Sequence, residues 1–222
     1  MSTLRRVFSS SVGTKFLLGL TGLALFAYLV LHLAGNLLIL AGPGTFNEYS
    51  NVLISNPLII PIELGLLAIF LLHVYKAVTN FFANRSARPE SYAVKRYAGH
   101  TSRKSIASST MIWSGLLMLL FIVVHVKQFK YGAWYETAGE APIRDLARTE
   151  FEVFSQPLWV AFYVVCTLIV GLHLRHGISS GFQSLGFDHP VYTRRLTMWG
   201  LVLAVLIGGG LACIPVWVYL TR

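Results

Sequence analysis

Four histidines stand where an ionisable side chain is least expected. Residues 16–40 read FLLGLTGLALFAYLVLHLAGNLLIL, and His32 is the one acid or base among them. His73, His125 and His173 stand in three later stretches of the same apolar kind. An ionisable group in hydrocarbon is costly and marks a functional site by default. Neutral imidazole is a good metal ligand, and two imidazoles on different helices at one depth are what a bis-histidine haem requires. A structural metal ion would want three or four ligands at one point instead. The chain has no CxxC or CxxCH spacing, so a haem here would be held noncovalently.

The elements that position these residues follow from composition. Of 222 residues, 55% are hydrophobic and 12% are charged, about half the charged share of a soluble domain. The apolar residues fall in runs of about twenty, the length that crosses ~30 Å of hydrocarbon. The expectation is an all-α bundle of five transmembrane helices, forming one domain over 1–222. The spans are placed at about 15–40, 58–82, 106–129, 157–182 and 194–220. The first run is too long for a signal peptide and is read as a retained span. Cys166 and Cys213 both lie in apolar runs, which speaks against a disulfide framework.

Between the spans, Ala41-Gly42-Pro43-Gly44 ends the first and opens a loop to Pro57. The 83–106 connection is the most basic, with Arg85, Arg88, Lys95, Arg96, Arg103 and Lys104 against Glu90. The 130–156 connection is acidic, with Glu136, Glu140, Asp145, Glu150 and Glu152, and has room for a short interfacial helix near 143–154. Thirteen Lys and Arg collect on the N-terminal side, and five on the other side, diluted by six acids. The positive-inside rule then puts the N-terminus in the cytoplasm and the C-terminus outside. The net charge of +9 reflects this distribution and not a nucleic-acid surface. The basic loops serve either topology alone or the docking of a soluble partner.

Depth sorts the histidines. At 1.5 Å per residue, His32 is ~25 Å along its span and His125, on a span of the same direction, lies in the same outer half. His73 and His173 are each about fifteen residues along descending spans, in the inner half. Two levels with two histidines each point to two haems b. Small residues would let a macrocycle slip between helices: Gly35, Ala77, Ser114, Gly115, Gly171 and Gly177. His176, three residues after His173, is the alternative ligand. His100 and His189 fall in connections.

These residues also carry a resemblance. HLAGNLLIL, the stretch FNEYSNVLISNPLIIPIELGLLAIFLLHVYKA and HLRHGISSGFQSLG resemble the cytochrome b membrane subunit of succinate dehydrogenases and fumarate reductases, in its five-helix, two-haem, single-polypeptide form. The likeness runs over essentially the whole chain. It implies that His73 and His173 hold a proximal haem, and His32 and His125 a distal one. It implies a flavoprotein subunit and an iron–sulfur subunit on the inner face, in a cell inner membrane, and a quinone, usually menaquinone. The chain would be the quinone-reactive electron-transfer subunit of a multi-subunit oxidoreductase, with the dicarboxylate site on a partner.

Quinone reduction needs protons. Glu63, about one turn inside the second span, is the favoured proton carrier, as an unpaired carboxylate there is costly and marks a functional group. An acid near a helix start is the plainer reading of the same residue. Glu48 is the weaker candidate. The rivals are another di-haem quinone-reactive cytochrome b, a transporter or proton channel using histidine relays without haem, and a plain structural anchor. Span V has no histidine or acid, and its Gly208-Gly209-Gly210 and Pro215 suggest packing or subunit contact only.

Overall fold

The computed structural model describes residues 10–87 and 106–221. Arg5 and Arg6 of the N-terminal arm, the basic 88–105 stretch with His100, and Arg222 lie outside the described residues. Helix α1 (Ser11–Asn36) starts where the Ser10 hydroxyl accepts from the Gly13 N–H. A 3-10 turn (Leu37–Ala41) and Gly42, at φ 118°, end it. Then come α2 (Pro43–Ile54), α3 (Ile59–Ser86), α4 (Ile106–Ser109), α5 (Met111–Phe129), α6 (Leu146–Phe154), α7 (Pro157–Ser184) and α8 (Pro190–Thr221). Among the described residues, α1, α3, α5, α7 and α8 are long and apolar enough to cross a membrane, and strand pairing is limited to one Glu136–Arg144 bridge. The fold is all-α, and the chain is a multi-pass membrane protein.

Several boundaries differ from the sequence expectation. The stretch after Gly42 is a helix, α2, and not a loop. Pro43 occupies its first turn, where a missing N–H costs nothing, and it buries Phe46, Asn47 and Ser50. Spans II and V run further, to Ser86 and from Pro190. Span III is interrupted at Thr110. The interfacial helix begins at Leu146, with the Asp145 carboxylate as N-cap accepting from the Arg148 N–H. Helix α8 continues through Pro215.

The packing order decides which histidines can meet. Helix α1 packs on α3 and α7, and α5 packs on α7 and more thinly on α3. These helices form a four-cornered bundle in which α1 faces α5 and α3 faces α7 across the diagonals. Helix α8 lies outside, along α7. The α7–α8 seam is close because it is lined with glycine. A Cβ at Gly208 would stand 2.8 Å from Gly171 Cα, and one at Gly171 would stand 3.1 Å from the Ala204 carbonyl. Gly171 therefore serves helix packing and does not open a slot beside His173.

One end of the bundle is capped by α2 and α6. Asn47 ties the two caps together: its Nδ2 donates to Asp145 at 2.8 Å and its Oδ1 accepts from the Ala147 N–H at 2.9 Å. Beneath them Ile39, Phe46, Ala147, Phe154, Tyr163, Ile214 and Val218 form a buried cluster. Gly35 leaves room for the Tyr49 ring, which a Cβ would meet at 2.6 Å. On the outside of the cap, Tyr135 donates to Glu152 at 2.6 Å and Arg148 Nε to the other carboxylate oxygen at 3.0 Å. The Tyr135 bond, ahead of Arg148, holds the Glu152 carboxyl below its usual pKa.

Candidate functional site: two histidine pairs

Towards the N-terminal end of α1, His73 of α3 meets Thr21 and Gly22. The Thr21 hydroxyl donates to the Leu17 carbonyl at 2.7 Å and lies 3.0 Å from His73 Nδ1. A hydroxyl has one proton to give. Nδ1 is thereby engaged, and Nε2 is the ring nitrogen left for another group; an Nδ1–H tautomer, with the Thr21 proton on Leu17, would present its lone pair there. Ser114 of α5 repeats the device on His173 of α7. Its hydroxyl reaches the Met111 carbonyl at 3.1 Å and lies 2.9 Å from His173 Nδ1. Both rings face glycine: a Cβ at Gly22 would stand 3.1 Å from His73 Cε1, and one at Gly115 would stand 3.6 Å from His173 Cε1. His173 is within electrostatic reach of both His73 and His176. Ser114 and Gly115 thus belong to the His173 level, not to the neighbourhood of His125 two to three turns later on their own helix.

Nearer the capped end, His32 of α1 and His125 of α5 meet across the other diagonal. Their ring centroids are 5.7 Å apart and their planes 83° apart. Two metal–imidazole bonds of about 2 Å would put such centroids about 6 Å apart. The surroundings are aromatic. Tyr28 stacks on His32 at 5.5 Å, and Phe121, Phe129 and Tyr163 surround His125 at 5.7, 5.3 and 6.0 Å. His125 Nδ1 is buried and has no hydrogen-bond partner. A buried imidazole nitrogen left so is costly unless a further group satisfies the ring.

The donor chemistry of both levels fits a bis-histidine haem. The N-terminal-end rings are each held at Nδ1 by a hydroxyl on a neighbouring helix, the kind of supporting contact that a metal-bound imidazole makes. The other two rings face each other inside an apolar, aromatic wall. Among the described residues no three His, Cys, Asp or Glu side chains converge on one point, so any ligation here is pairwise.

The remaining candidates separate. His176 is half-buried on the turn after His173. His189 is exposed, its Nδ1 accepting from the Val191 N–H. Glu48 is exposed on α2. Glu63 is not an unpaired carboxylate: it forms an ion pair with Lys130, joining α3 to the end of α5, and both side chains are about two-fifths exposed. It lies outside the first helical turn of α3 and within electrostatic reach of Tyr28, itself near Tyr49. Thr21 and Gly22 escaped the sequence reading. Their signal was a Thr-Gly step on an otherwise aliphatic helix, but only the rotation of α1 against α3 shows what they face.

No known family, curated protein or solved structure matches the chain.

Proposed function

We propose that this chain is the membrane-embedded, di-haem cytochrome b subunit of a succinate:quinone or quinol:fumarate oxidoreductase. The observation that carries the proposal is the placing of four histidines as two pairs on the two diagonals of one four-helix bundle, with Nδ1 of both rings at one level held by a hydroxyl. His73 and His173 would hold one haem b and His32 and His125 the other. When bound, these groups supply reversible one-electron chemistry. The chain's own share is axial ligation, tautomer control through Thr21 and Ser114, and exclusion of water by the aromatic wall around His125.

In this reading the capped end is the outer one and the N-terminus is cytoplasmic. A flavoprotein and an iron–sulfur subunit dock on the inner face beside His73 and His173. Menaquinone or another quinone reacts at the capped end, near Tyr28, Tyr49 and Glu63, where Glu63 exchanges protons with the help of Lys130. Glu48 is the alternative proton carrier. The same bundle suits another quinone-reactive di-haem cytochrome b. A histidine-relay transporter or a plain anchor has less support, because neither needs a hydroxyl set against Nδ1 of each ring at one level.

The test is haem content. Pyridine haemochrome analysis of the purified protein should give two noncovalent haems b per chain, and a value near zero would end the proposal. Glu63→Gln should keep both haems and slow turnover with quinone; unchanged turnover would leave Glu63 a structural ion-pair member.

A further inference from the structure

Helix α6 turns one stripe into the capped end, the buried Ala147, Glu150 and Phe154 with the half-buried Phe151, at the i, i+3, i+4, i+7 spacing of a core-facing helix, and Thr149 beside it is buried as well. Three of the four are apolar. The fourth is an acid, 5% exposed, and its Oε2 is buried with no hydrogen-bond partner. An isolated carboxylate is disfavoured in such surroundings, so the group exists as a neutral acid. Burial accordingly pushes its pKa up to about 8.

Tyr163 of α7 bridges this acid to the histidine level. It is within electrostatic reach of Glu150, and its ring lies 5.0 Å from Phe154 and 6.0 Å from His125. Its hydroxyl donates to Gln128 at 2.6 Å. Glu150 and His125 therefore flank one tyrosine in one low-dielectric compartment. The other titratable or charged groups on elements packed against α6 are Glu48 and Tyr49 on α2, His125 and Lys127 on α5, Cys166, His173, Arg175 and His176 on α7, and Tyr192, Arg194, Arg195, Cys213 and Tyr219 on α8. Arg148 and Glu152 pair with each other elsewhere on α6. In the preceding loop Arg144 donates to the Phe129 carbonyl, and Asp145 takes Asn47. Among the described residues, none forms an ion pair with Glu150.

We infer that Glu150 is the redox-linked proton-binding group of the His32–His125 level. At alkaline pH, where the group is ionised, its carboxylate takes up one proton from water when an electron arrives from the iron–sulfur side at the group these histidines hold, and returns the proton when the electron leaves. The added negative charge raises the cost of a second one nearby, across a compartment that screens it poorly. The inference rests on the haem reading above.

The experiment is a pH series of redox titrations on the purified holoprotein, with haem content measured in every preparation. The midpoint potential of the haem lost in His125→Ala should fall as pH rises through about 8. In Glu150→Gln that fall should vanish, with two haems retained and the potential fixed near its low-pH value. Glu150→Leu, which completes the apolar stripe, should behave the same way and replaces the Gln variant if that does not accumulate. An infrared difference titration adds a readout that needs no haem: a protonated-carboxyl band should disappear above pH 8 and be missing in Glu150→Gln. A pH-dependent potential that persists in both variants at full haem content, or a carboxyl band that survives Glu150→Gln, would overturn the inference. Absence of haem from the wild-type protein would overturn the haem reading itself, and this linkage with it.

Discussion

The two histidine levels are built differently. At the His73–His173 level each ring has a hydroxyl partner on the adjacent helix and a glycine against its Cε1 edge. At the His32–His125 level the rings are set in aromatic side chains, and His125 Nδ1 has no partner. One level orients imidazole by hydrogen bonds and the other by shape. The difference follows from position. The hydroxyl-held level lies between α3, which buries no residue along its length, and the Val170–Leu174–Ile178 face of α7, where the partners Thr21 and Ser114 are themselves buried. The shape-held level lies under a cap tied by Asn47 and filled by the Phe46–Phe154–Tyr163 cluster. Aromatic packing surrounds the rings there, and buried hydroxyls orient them at the other level.

The largest effect on this contrast should come from Gly22→Leu. The new Cβ would already stand 3.1 Å from the His73 ring, and the rest of the side chain has to displace that ring. Loss of the His73–His173 haem is expected, with the other retained, read as half the wild-type haemochrome value. Gly115→Ala makes only an ordinary contact of 3.6 Å and should leave both haems in place. Equal loss of both haems in Gly22→Leu would mean that the levels are not independent.

Removing the hydroxyls should do less. Thr21→Val and Ser114→Ala keep the helix surface but remove the hydroxyl at Nδ1 of His73 or His173. Loss of such a supporting contact typically weakens metal binding about 10–100-fold, so haem retention in a competition assay should fall at that level alone. No equivalent hydroxyl supports His125. If both variants retained haem like wild type, shape would be sufficient at both levels.

A smaller effect, on stability, should appear at the cap. The folded-state pKa of Glu150 lies above its unfolded value, so the native state binds more protons between 4.5 and about 8. Stability then falls as pH rises across that window and levels off above it. Melting of the purified protein in detergent should show this decline, and Glu150→Gln should flatten it, with a difference on the order of a few kcal/mol at the alkaline end. Equal slopes would mean that Glu150 is solvated.

Much of this arrangement was legible in the sequence, for reasons of scale. Span length and histidine depth depend on the 1.5 Å rise of a helix, and an error of a residue or two does not move His32 from one level to the other. Helix rotation is finer than that. Gly171 was read as a haem slot and instead meets Gly208, because its face of α7 turns towards α8. Ser114 shares a helix with His125, yet it bonds His173 on another. Helix α2 has no long apolar run, and it folds because Phe46, Asn47 and Ser50 find the cap. Glu150 sat unremarked in an acidic connection, since only the 147–150–151–154 stripe reveals that it faces inward. Glu63 looked unpaired because Lys130, its partner, is distant in sequence.

The central claim is the diagonal pairing, and one measurement tests it directly. Redox-resolved optical and EPR spectra of His32→Ala, His125→Ala, His73→Ala and His173→Ala should fall into two classes. His32→Ala and His125→Ala should lose one haem component, and His73→Ala and His173→Ala the other, while His176→Ala keeps both haems six-coordinate and low-spin. Loss of the same component in His32→Ala and His73→Ala would contradict the pairing, and a silent His173→Ala beside a haem-deficient His176→Ala would move the ligand by one turn.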